Sequence, residues 1–557
     1  MAKLVECVPN FSEGRNRQII DAIASAIAGV GGVQLLDVDP GADTNRTVYT
    51  FVGDPDAVVE AAFRSAARAG ELIDMSVHKG AHPRIGAMDV CPIVPVSGVT
   101  MEECVALAHA LGTRVGDELG VPVYFYEYAA SSEARKSLAA IRAGEYEGVE
   151  RKLQDPEWPP DRGPAVFNPR FGATIIGARD FLIAYNVNLN TRDRRLANEI
   201  ALTIRETGRL RRDASGQVIR NADGQEERVP GRLEAVRAIG WYIEEYRQAQ
   251  VSINLLNYRI TPVHVAFETV CEEAARLGLR VTGSELVGLI PREPLVEAGR
   301  YYLRRQGKSA GAPERDVVET AVRSLGLDQL GPFDPASKVI EYRVKPPAAL
   351  AGRPVDRFVD EVSSESPAPG GGSVSALAGS LAAALAAMVA NLTVGNKRYE
   401  AVWAELSGLA ERAQALKDRL MIAVDADAAA FNQVLDATRL PKTTPEQRVA
   451  REAALHRANR AAAGVPLETA RVSRQVLDLA ERVAVAGNRN SLTDAGVSAL
   501  LARAAVDGAA LNVLTNLGGV ADEGFRQACR DEALKLVDEA RAIETRVVAG
   551  IRASLDA

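Results

Sequence analysis

The chain reads as a multidomain protein in which two α/β subdomains, each an α+β sandwich of the ferredoxin-like type, are followed by an all-α helix bundle. Three features of the sequence carry that expectation. The first 340 or so residues alternate strand-like apolar runs with amphipathic helical ones. From Lys345 to Pro354 the run KPPAALAGRP sets three prolines among small residues, which no regular element crosses comfortably. Beyond it strand signals nearly vanish, and alanine-rich helical segments follow one another through Leu377, Leu409, Val449, Val472 and Ile543.

The element order follows from periodicity. LVECVPNF leads into a helix over 16–28, then VQLLDVDP and the alternating NRTVYTFVG precede a helix over 54–74. IGAMDVCPIVPV, a helix over 101–119 and VPVYFYEYA complete the first set. Two helices on one face of an antiparallel sheet would bury both apolar sets. The alternation restarts near Ala173 with TIIGARDFLIAYNVNL, a helix over 196–205, VRAIGWYIEEYRQAQVSINLLN and a helix over 263–277. The polar stretch 213–228, with glycine turn signals, predicts an exposed hairpin. The expected organisation is 1–180 and 181–342 for the two α/β subdomains, 343–355 for a linker and 356–557 for the bundle. A chain of 557 residues is too long for one core and agrees with this division.

Composition narrows the partners. With 47% hydrophobic and 25% charged residues the chain is an ordinary globular one, and a net charge of -7 gives no basic stripe for nucleic acid. Cys7, Cys91, Cys104, Cys271 and Cys529 lack CxxC spacing, so they read as reduced thiols. No secretory leader is read at MAKLVECVPNF, so a cytoplasmic location is expected. Val374 to Val394 lacks charge over a membrane-spanning length, but alanine dominates it. Alanine gives little transfer energy and lets backbones approach closely, so a helix buried in a bundle or dimer is expected, with no membrane partner.

Two regions concentrate chemistry. HKGAHPRIGAMDVCP (His78 to Pro92) holds two of only five histidines, with Lys79 and Arg84, in a loop punctuated by Gly80 and Pro83. A histidine near its ordinary pKa of about 6.5 both takes and gives protons at neutrality. His82 is therefore a candidate general base and acid, with Lys79 or Arg84 as candidate contacts for an anionic substrate; a loop histidine bonding a backbone carbonyl is the alternative. His78 and His82 stand four apart, a metal-ligand spacing on a helix, but Gly80 and Pro83 argue against a helix and no metal is expected. Asp37, Asp39, Asp43, Asn45 and Arg46 form a polar loop that turn chemistry largely explains. The glycine, proline and aromatic mixture from Gly163 to Ala173 suits the wall of a pocket for a flat ring.

In the second half, Gly370, Gly371 and Gly372 precede Ser373 at the head of the small-residue helix, where exposed amides can receive an anion. A plain helix start is the alternative. No GK[ST] follows, so this is not a phosphate loop of the Walker type. IAVDADAAAF carries Asp425 and Asp427 two residues apart, which points them about 200° from each other, so at most one faces the apolar side. A buried carboxyl there would have a raised pKa and could shuttle protons; a solvated pair is the alternative. Asn488, Asp494, Asn512 and Asn516 are further polar residues in small-residue surroundings.

These segments resemble, in order and over nearly the whole chain, the formimidoyltransferase-cyclodeaminase enzymes of histidine degradation. LVECVPNFSEG, LDVD, NRTVYTFVG, HPRIGAMDVCP, GVPVYFYE, FLIAYNVNL, AIGWYIEEY and GSELVGLIP carry the first half. APGGGSV, VGNKRY, VDADAAAF, LPKTTPEQR, GNRNSLTDAGVSA and LNVLTNL carry the second, which also resembles bacterial methenyltetrahydrofolate cyclohydrolases. The resemblance implies formimino transfer from formiminoglutamate to tetrahydrofolate, then closure to methenyltetrahydrofolate with release of ammonia. It places the catalytic histidine on His82 and the catalytic aspartate on Asp427, with Asp425 structural or assisting. Folate contacts fall on Gly163, Pro164, Ala165, Val166, Phe167, Asn168, Pro169, Arg170, Phe171 and Gly172. It further implies a polyglutamylated folate and a homo-oligomer built from dimers, with the helix around Ala384 as a contact. One departure is Ala81, where animal members have a glutamate, which leaves open what orients His82. A single-activity enzyme with an inactive transferase half, and a folate-binding scaffold without turnover, are the rival readings.

Overall fold

In the computed structural model the described residues are 3–42, 44–80, 82–221, 224–344 and 350–556. Asp43, Ala81, two residues of the 213–228 insert and the centre of the 343–355 linker lie outside them.

The first sheet is assembled from β1 (Leu4–Cys7), β2 (Asn10–Phe11), β3 (Val33–Gly41), β4 (Arg46–Gly53), β5 (Met88–Ser97), β6 (Val123–Glu127) and β7 (Thr174–Ala178). Their connections are α1 (Arg17–Ala28), α2 (Pro55–Leu72), α3 (Met101–Leu119), α4 (Leu138–Arg142) and α5 (Glu145–Leu153). Across the sheet the order is β3, β4, the β1 and β2 pair, β5, β7, β6. The βαββαβ unit from β1 to β5 is the ferredoxin-like arrangement, and β6 and β7 extend it. Pairings up to β5 are antiparallel, whereas β7 runs parallel to both β5 and β6. The expected antiparallel sheet is therefore mixed. TIIGA, where the sequence alternation restarts, lies within the expected 1–180 subdomain and is the strand slotted between β5 and β6. Three helices, not two, cover one face: Ile20, Ile23, Val58, Ala62, Leu111 and Val115 pack on Val5, Tyr49, Phe51 and Ile93. Part of the other face is closed by α4 and α5 through Ile141 and Val149 against Val90, Tyr124 and Ile175.

The second sheet has the order β11 (Val236–Ile243), β12 (Gln248–Leu255), β8 (Ile183–Leu189), β13 (Val281–Val287), all antiparallel. Between these strands lie α6 (Arg194–Ile204) and α7 (Val263–Arg276), again a βαββαβ unit. The insert expected as a hairpin is one, with β9 (Arg209–Leu210) paired to β10 (Arg228–Val229). Then come α8 (Arg292–Arg305), α9 (Glu314–Leu325) and the short α10 (Pro335–Lys338) and α11 (Ile340–Arg343). The chain falls into two compact units, Met1–Pro294 with Gly326–Lys345, and Leu295–Leu325 with Pro346–Ala557. The second unit thus takes in α9 and most of α8, a segment that the sequence boundary at 342 groups with the second α/β subdomain. Its anchors there are polar: Ser407 Oγ accepts from the Ala310 amide at 3.1 Å, and the Gly311 carbonyl accepts from Asn391 and Gln414.

The bundle consists of α12 (Val355–Val362), α13 (Gly371–Thr393), α14 (Trp403–Arg439), α15 (Pro445–Ala486), α16 (Leu492–Asn516) and α17 (Glu523–Leu555). Small residues make the close packing possible: Ala382, Ala386 and Ala390 of α13 meet Leu409, Ala413, Val476, Ala480, Ala499 and Val506. Among the described residues two helical stretches, Gly371–Thr393 and Arg489–Gly519, are long and apolar enough to cross a membrane, and 61% of the most apolar window of the first is buried within the bundle. The segments around Val449 and Val472 belong to one helix, α15, which starts on a Thr444/Gln447 capping box with Pro445 in its first turn. Pro466 lies inside it and has no N–H for the carbonyl of Ala462. That carbonyl instead accepts from Asn516 Nδ2 at 2.6 Å. Replacing Asn516 with Ala orphans it, and we expect a loss of about 1 kcal/mol, read as a lower urea midpoint at unchanged slope; an unmoved midpoint would show that the side chain contributes nothing to holding α16 on α15.

Candidate active sites

His82 lies in the loop between α2 and β5, and the loop's path is set by close backbone approach. A Cβ on Gly80 would fall 2.1 Å from the Thr44 carbonyl oxygen, so no other residue fits without displacing the 41–46 turn. His78, buried, donates through Nε2 to the Asn45 carbonyl at 2.9 Å. Asn45 adopts a left-handed φ of 47° and ties the two loops, donating to the Lys79 carbonyl at 2.9 Å and accepting from the Gly14 amide at 3.0 Å. The two histidines thus turn to different partners.

His82 meets Arg46, whose Nη1 lies 2.6 Å from Nδ1 and 2.7 Å from Nε2 of the ring, while Nδ1 is 2.6 Å from the Pro83 carbonyl oxygen. Arg46 in turn donates from Nε at 2.9 Å and Nη2 at 2.5 Å to Asn10 Oδ1. Behind it stands Asp89, 1% exposed, with Oδ2 3.7 Å from Arg46 Nη1. Asp89 also pairs with Arg142 and accepts from the Ile85 amide at 2.9 Å. Burial first, and then the Arg46 charge, hold the His82 pKa below its ordinary value, so the ring is neutral at pH 7 and able to accept a proton.

The other predicted contacts are placed unequally. Arg84 is buried, and its guanidinium grips Glu147 through two bonds of 2.8 Å and Glu145 at 3.0 Å, so its charge is committed inside the protein. Lys79 is exposed, with Nζ 3.8 Å from Glu147. Asp39 is exposed on β3 opposite Val48. The 163–172 loop begins and ends on left-handed glycines, Gly163 at 77° and Gly172 at 80°, each pressed on a carbonyl oxygen, of Val121 and Ile85 respectively. Its end is stitched to the residues just after His82: the Ala87 amide donates to the Phe171 carbonyl at 2.8 Å and the Ala173 amide to the Ile85 carbonyl at 3.0 Å. Val166 is 67% exposed, Phe167 sits 5.6 Å from the Tyr146 ring, and Phe171 turns into the core.

In the bundle, Gly370 is the N-cap of α13 and Ser373 is fully buried in its first turn. The Ser373 hydroxyl stands 2.8 Å from the Val424 carbonyl oxygen and 3.2 Å from Asp427 Oδ2. Gly372 is required by its neighbour, since a Cβ would fall 2.1 Å from Asp427 Oδ1. On the far side of Gly371 lies the Asn512 amide, whose Nδ2 donates to the Gly508 carbonyl. Burial raises the Asp427 pKa, and the hydroxyl and amide of Ser373 oppose the rise. Asp425 points elsewhere and accepts from the amides of Leu350 at 2.5 Å and Ala351 at 3.4 Å, a structural cap. Asn488 is tied to Thr393 at the opposite end of α13, about 30 Å from Ser373 by helix rise, so it does not join Asp427 within this chain.

Family models match the chain throughout: the formiminotransferase domain N-terminal subdomain over 4–179, the formiminotransferase domain over 184–345 and formiminotransferase-cyclodeaminase over 354–535. A formimidoyltransferase-cyclodeaminase of Gallus gallus is 46% identical over 552 residues, 99% of each chain. The chain belongs to the formimidoyltransferase-cyclodeaminase family. Each half also has a separate relative. A glutamate formimidoyltransferase of Thermoplasma acidophilum is 45% identical over 55% of this chain and 95% of its own. A methenyltetrahydrofolate cyclohydrolase of Methylorubrum extorquens is 40% identical over 36% and 97%.

Within this formimidoyltransferase-cyclodeaminase chain, Asn10, Arg46, Asp89 and Arg142 surround His82, and sequence reading missed three of them as site residues and left Arg46 to turn chemistry. A lone acid in the apolar strand MDVCP was the available signal, since a buried carboxylate needs a cation or several donors. For Asp427 the folded pKa lies above the unfolded one, so ionisation opposes folding above that pKa and costs nothing below the unfolded value. Asp427→Asn should therefore raise Tm at pH 8 and give no gain at pH 3. Equal Tm values at both pH values would mean that the carboxyl is not desolvated.

Proposed function

We propose that this chain transfers the formimino group of N-formimino-L-glutamate to tetrahydrofolate and then closes 5-formiminotetrahydrofolate to 5,10-methenyltetrahydrofolate, releasing ammonia. The observation that carries the reading is the pairing, on one chain, of an imidazole set against Arg46 and a carboxyl buried against the first turn of α13, the pKa of the first lowered and that of the second raised by burial. In the first step the folate ring nitrogen attacks the formimino carbon and loses its proton to His82. The bond from that carbon to the glutamate nitrogen then breaks, and His82 returns the proton to it. In the second step the anilino nitrogen attacks the same carbon and its proton passes to the former imino nitrogen; Asp427 supplies the second proton with which that nitrogen leaves as ammonia, giving the methenyl cation.

The folate is proposed to lie along the 163–172 loop, whose exposed Val166 and half-buried Phe167 offer apolar surface, and whose end is stitched to the residues just after His82. A polyglutamylated form is the proposed substrate, and the cytoplasm, where thiols such as the five here stay reduced, the proposed location. The proposed assembly is a homo-oligomer built from dimers. Val374, Leu381 and Met388 recur every seven residues along the outer face of α13 and are 40%, 51% and 36% exposed, a spacing that suits a seam against a second copy. Leaving such side chains in water forgoes about 1.5 kcal/mol or more each.

Mixing formiminoglutamate, tetrahydrofolate and the protein should give methenyltetrahydrofolate, followed by its absorbance. His82→Asn should stop transfer while leaving closure of supplied 5-formiminotetrahydrofolate; closure without transfer in the wild type would mark a single-activity enzyme, and folate binding with no ammonia a scaffold. Leu381→Asp together with Met388→Asp should lower the mass measured by light scattering, and an unchanged mass would place the subunit contact elsewhere.

A further inference from the structure

Among the described residues the imidazole of His82 has no carboxylate hydrogen-bond partner; its side-chain neighbour is a guanidinium. Given the reading of His82 as the proton carrier, we infer that Arg46 is its positioning residue, held in place by Asn10 and Asp89, and that its charge favours the neutral ring. The geometry argues each part. The Pro83 carbonyl oxygen only accepts, so the ring nitrogen 2.6 Å from it, Nδ1, carries the hydrogen. Arg46 Nη1 stands almost equally close to both ring nitrogens, 2.6 Å from Nδ1 and 2.7 Å from Nε2, so its positive charge faces the ring as a whole, and a guanidinium, which has five N–H groups and no acceptor, gives no support to a second ring N–H. Arg46 cannot swing away freely, because Asn10 Oδ1 takes two of its donors and Asp89 lies 3.7 Å from the third nitrogen.

The charges facing His82 are Arg46, Arg142 and Asp89. Two guanidiniums share one carboxylate, since Arg142 also pairs with Asp89, which leaves one positive charge in excess beside the ring. A cation there opposes formation of imidazolium. It therefore favours the free base before the folate nitrogen attacks, and drives the proton onward to the departing glutamate nitrogen afterwards. A carboxylate partner would do the reverse on the second leg. This role also answers what orients His82 in a chain with alanine at position 81.

The test is the pH profile of kcat/KM for formimino transfer in Arg46→Met, Arg46→Lys and Asn10→Ala, with His82→Asn as the control. In the wild type the acid limb should fall below the ordinary histidine value. Arg46→Met should move it up by about one unit and lower kcat. Arg46→Lys and Asn10→Ala, which keep the charge but loosen its placement, should leave the limb in place and lower kcat by about tenfold. An unmoved limb in a folded Arg46→Met, or an equal movement in Arg46→Lys, overturns the inference. Should Arg46→Met fail to fold by circular dichroism, the other two variants decide: unchanged kcat in both overturns it. Transfer that survives in His82→Asn overturns the reading of His82 itself, whatever the Arg46 variants do.

Discussion

A carboxylate with almost no contact with water, Asp89, gathers three separate parts of the first subdomain around one point. It takes the Ile85 amide from the loop that carries His82, Arg142 from α4, and stands behind Arg46 at the head of β4. A buried charge of this kind is costly unless every lone pair is met, so the loop, the strand and the helix are constrained to meet there together. The placement of His82 follows from that constraint and from Gly80, which brings the loop onto the 41–46 turn. The 163–172 loop is then stitched onto the residues just after His82. The same carboxylate that organises the site thus supplies only part of the charge needed to balance it, and the excess faces the imidazole.

The bundle reaches a similar end by the opposite route. Around Asp427, among the described residues, burial raises the pKa and Ser373 offsets it. Glycine at 372 lets the first turn of α13 come close enough for that contact, and small residues along α13 let the neighbouring helices follow. A sheet subdomain with long polar loops can build a charged lattice about a base, whereas an alanine-rich bundle has few donors and raises the pKa of an acid by withholding water. One chain therefore carries a base whose pKa is depressed and an acid whose pKa is raised, matched to steps that begin with opposite proton demands.

Much of this was legible in the residues. The change from strand periodicity to alanine-rich helices marked the change of architecture, and the angle between Asp425 and Asp427 said that at most one of them faces the apolar side. What sequence periodicity could not supply was partnership across distance. TIIGA reads as a buried strand, but its place between β5 and β6 depends on parallel pairing with segments about fifty and eighty residues earlier. Arg84 looked available for an anionic substrate because its partners, Glu145 and Glu147, lie in a helix with little apolar signal. Arg46 looked like turn chemistry because its meaning comes from Asp89 and His82, far along the chain.

Independent action of two proton-handling centres, an imidazole in the sheet unit and a carboxyl in the bundle, is the proposal on which the two-step reading rests. Mixing the folded His82→Asn and Asp427→Asn proteins with formiminoglutamate and tetrahydrofolate tests it most directly. Neither alone should yield methenyltetrahydrofolate, and the mixture should, because each supplies the step the other lacks. A mixture that stays silent, although each variant retains its own remaining half-reaction, would contradict the account.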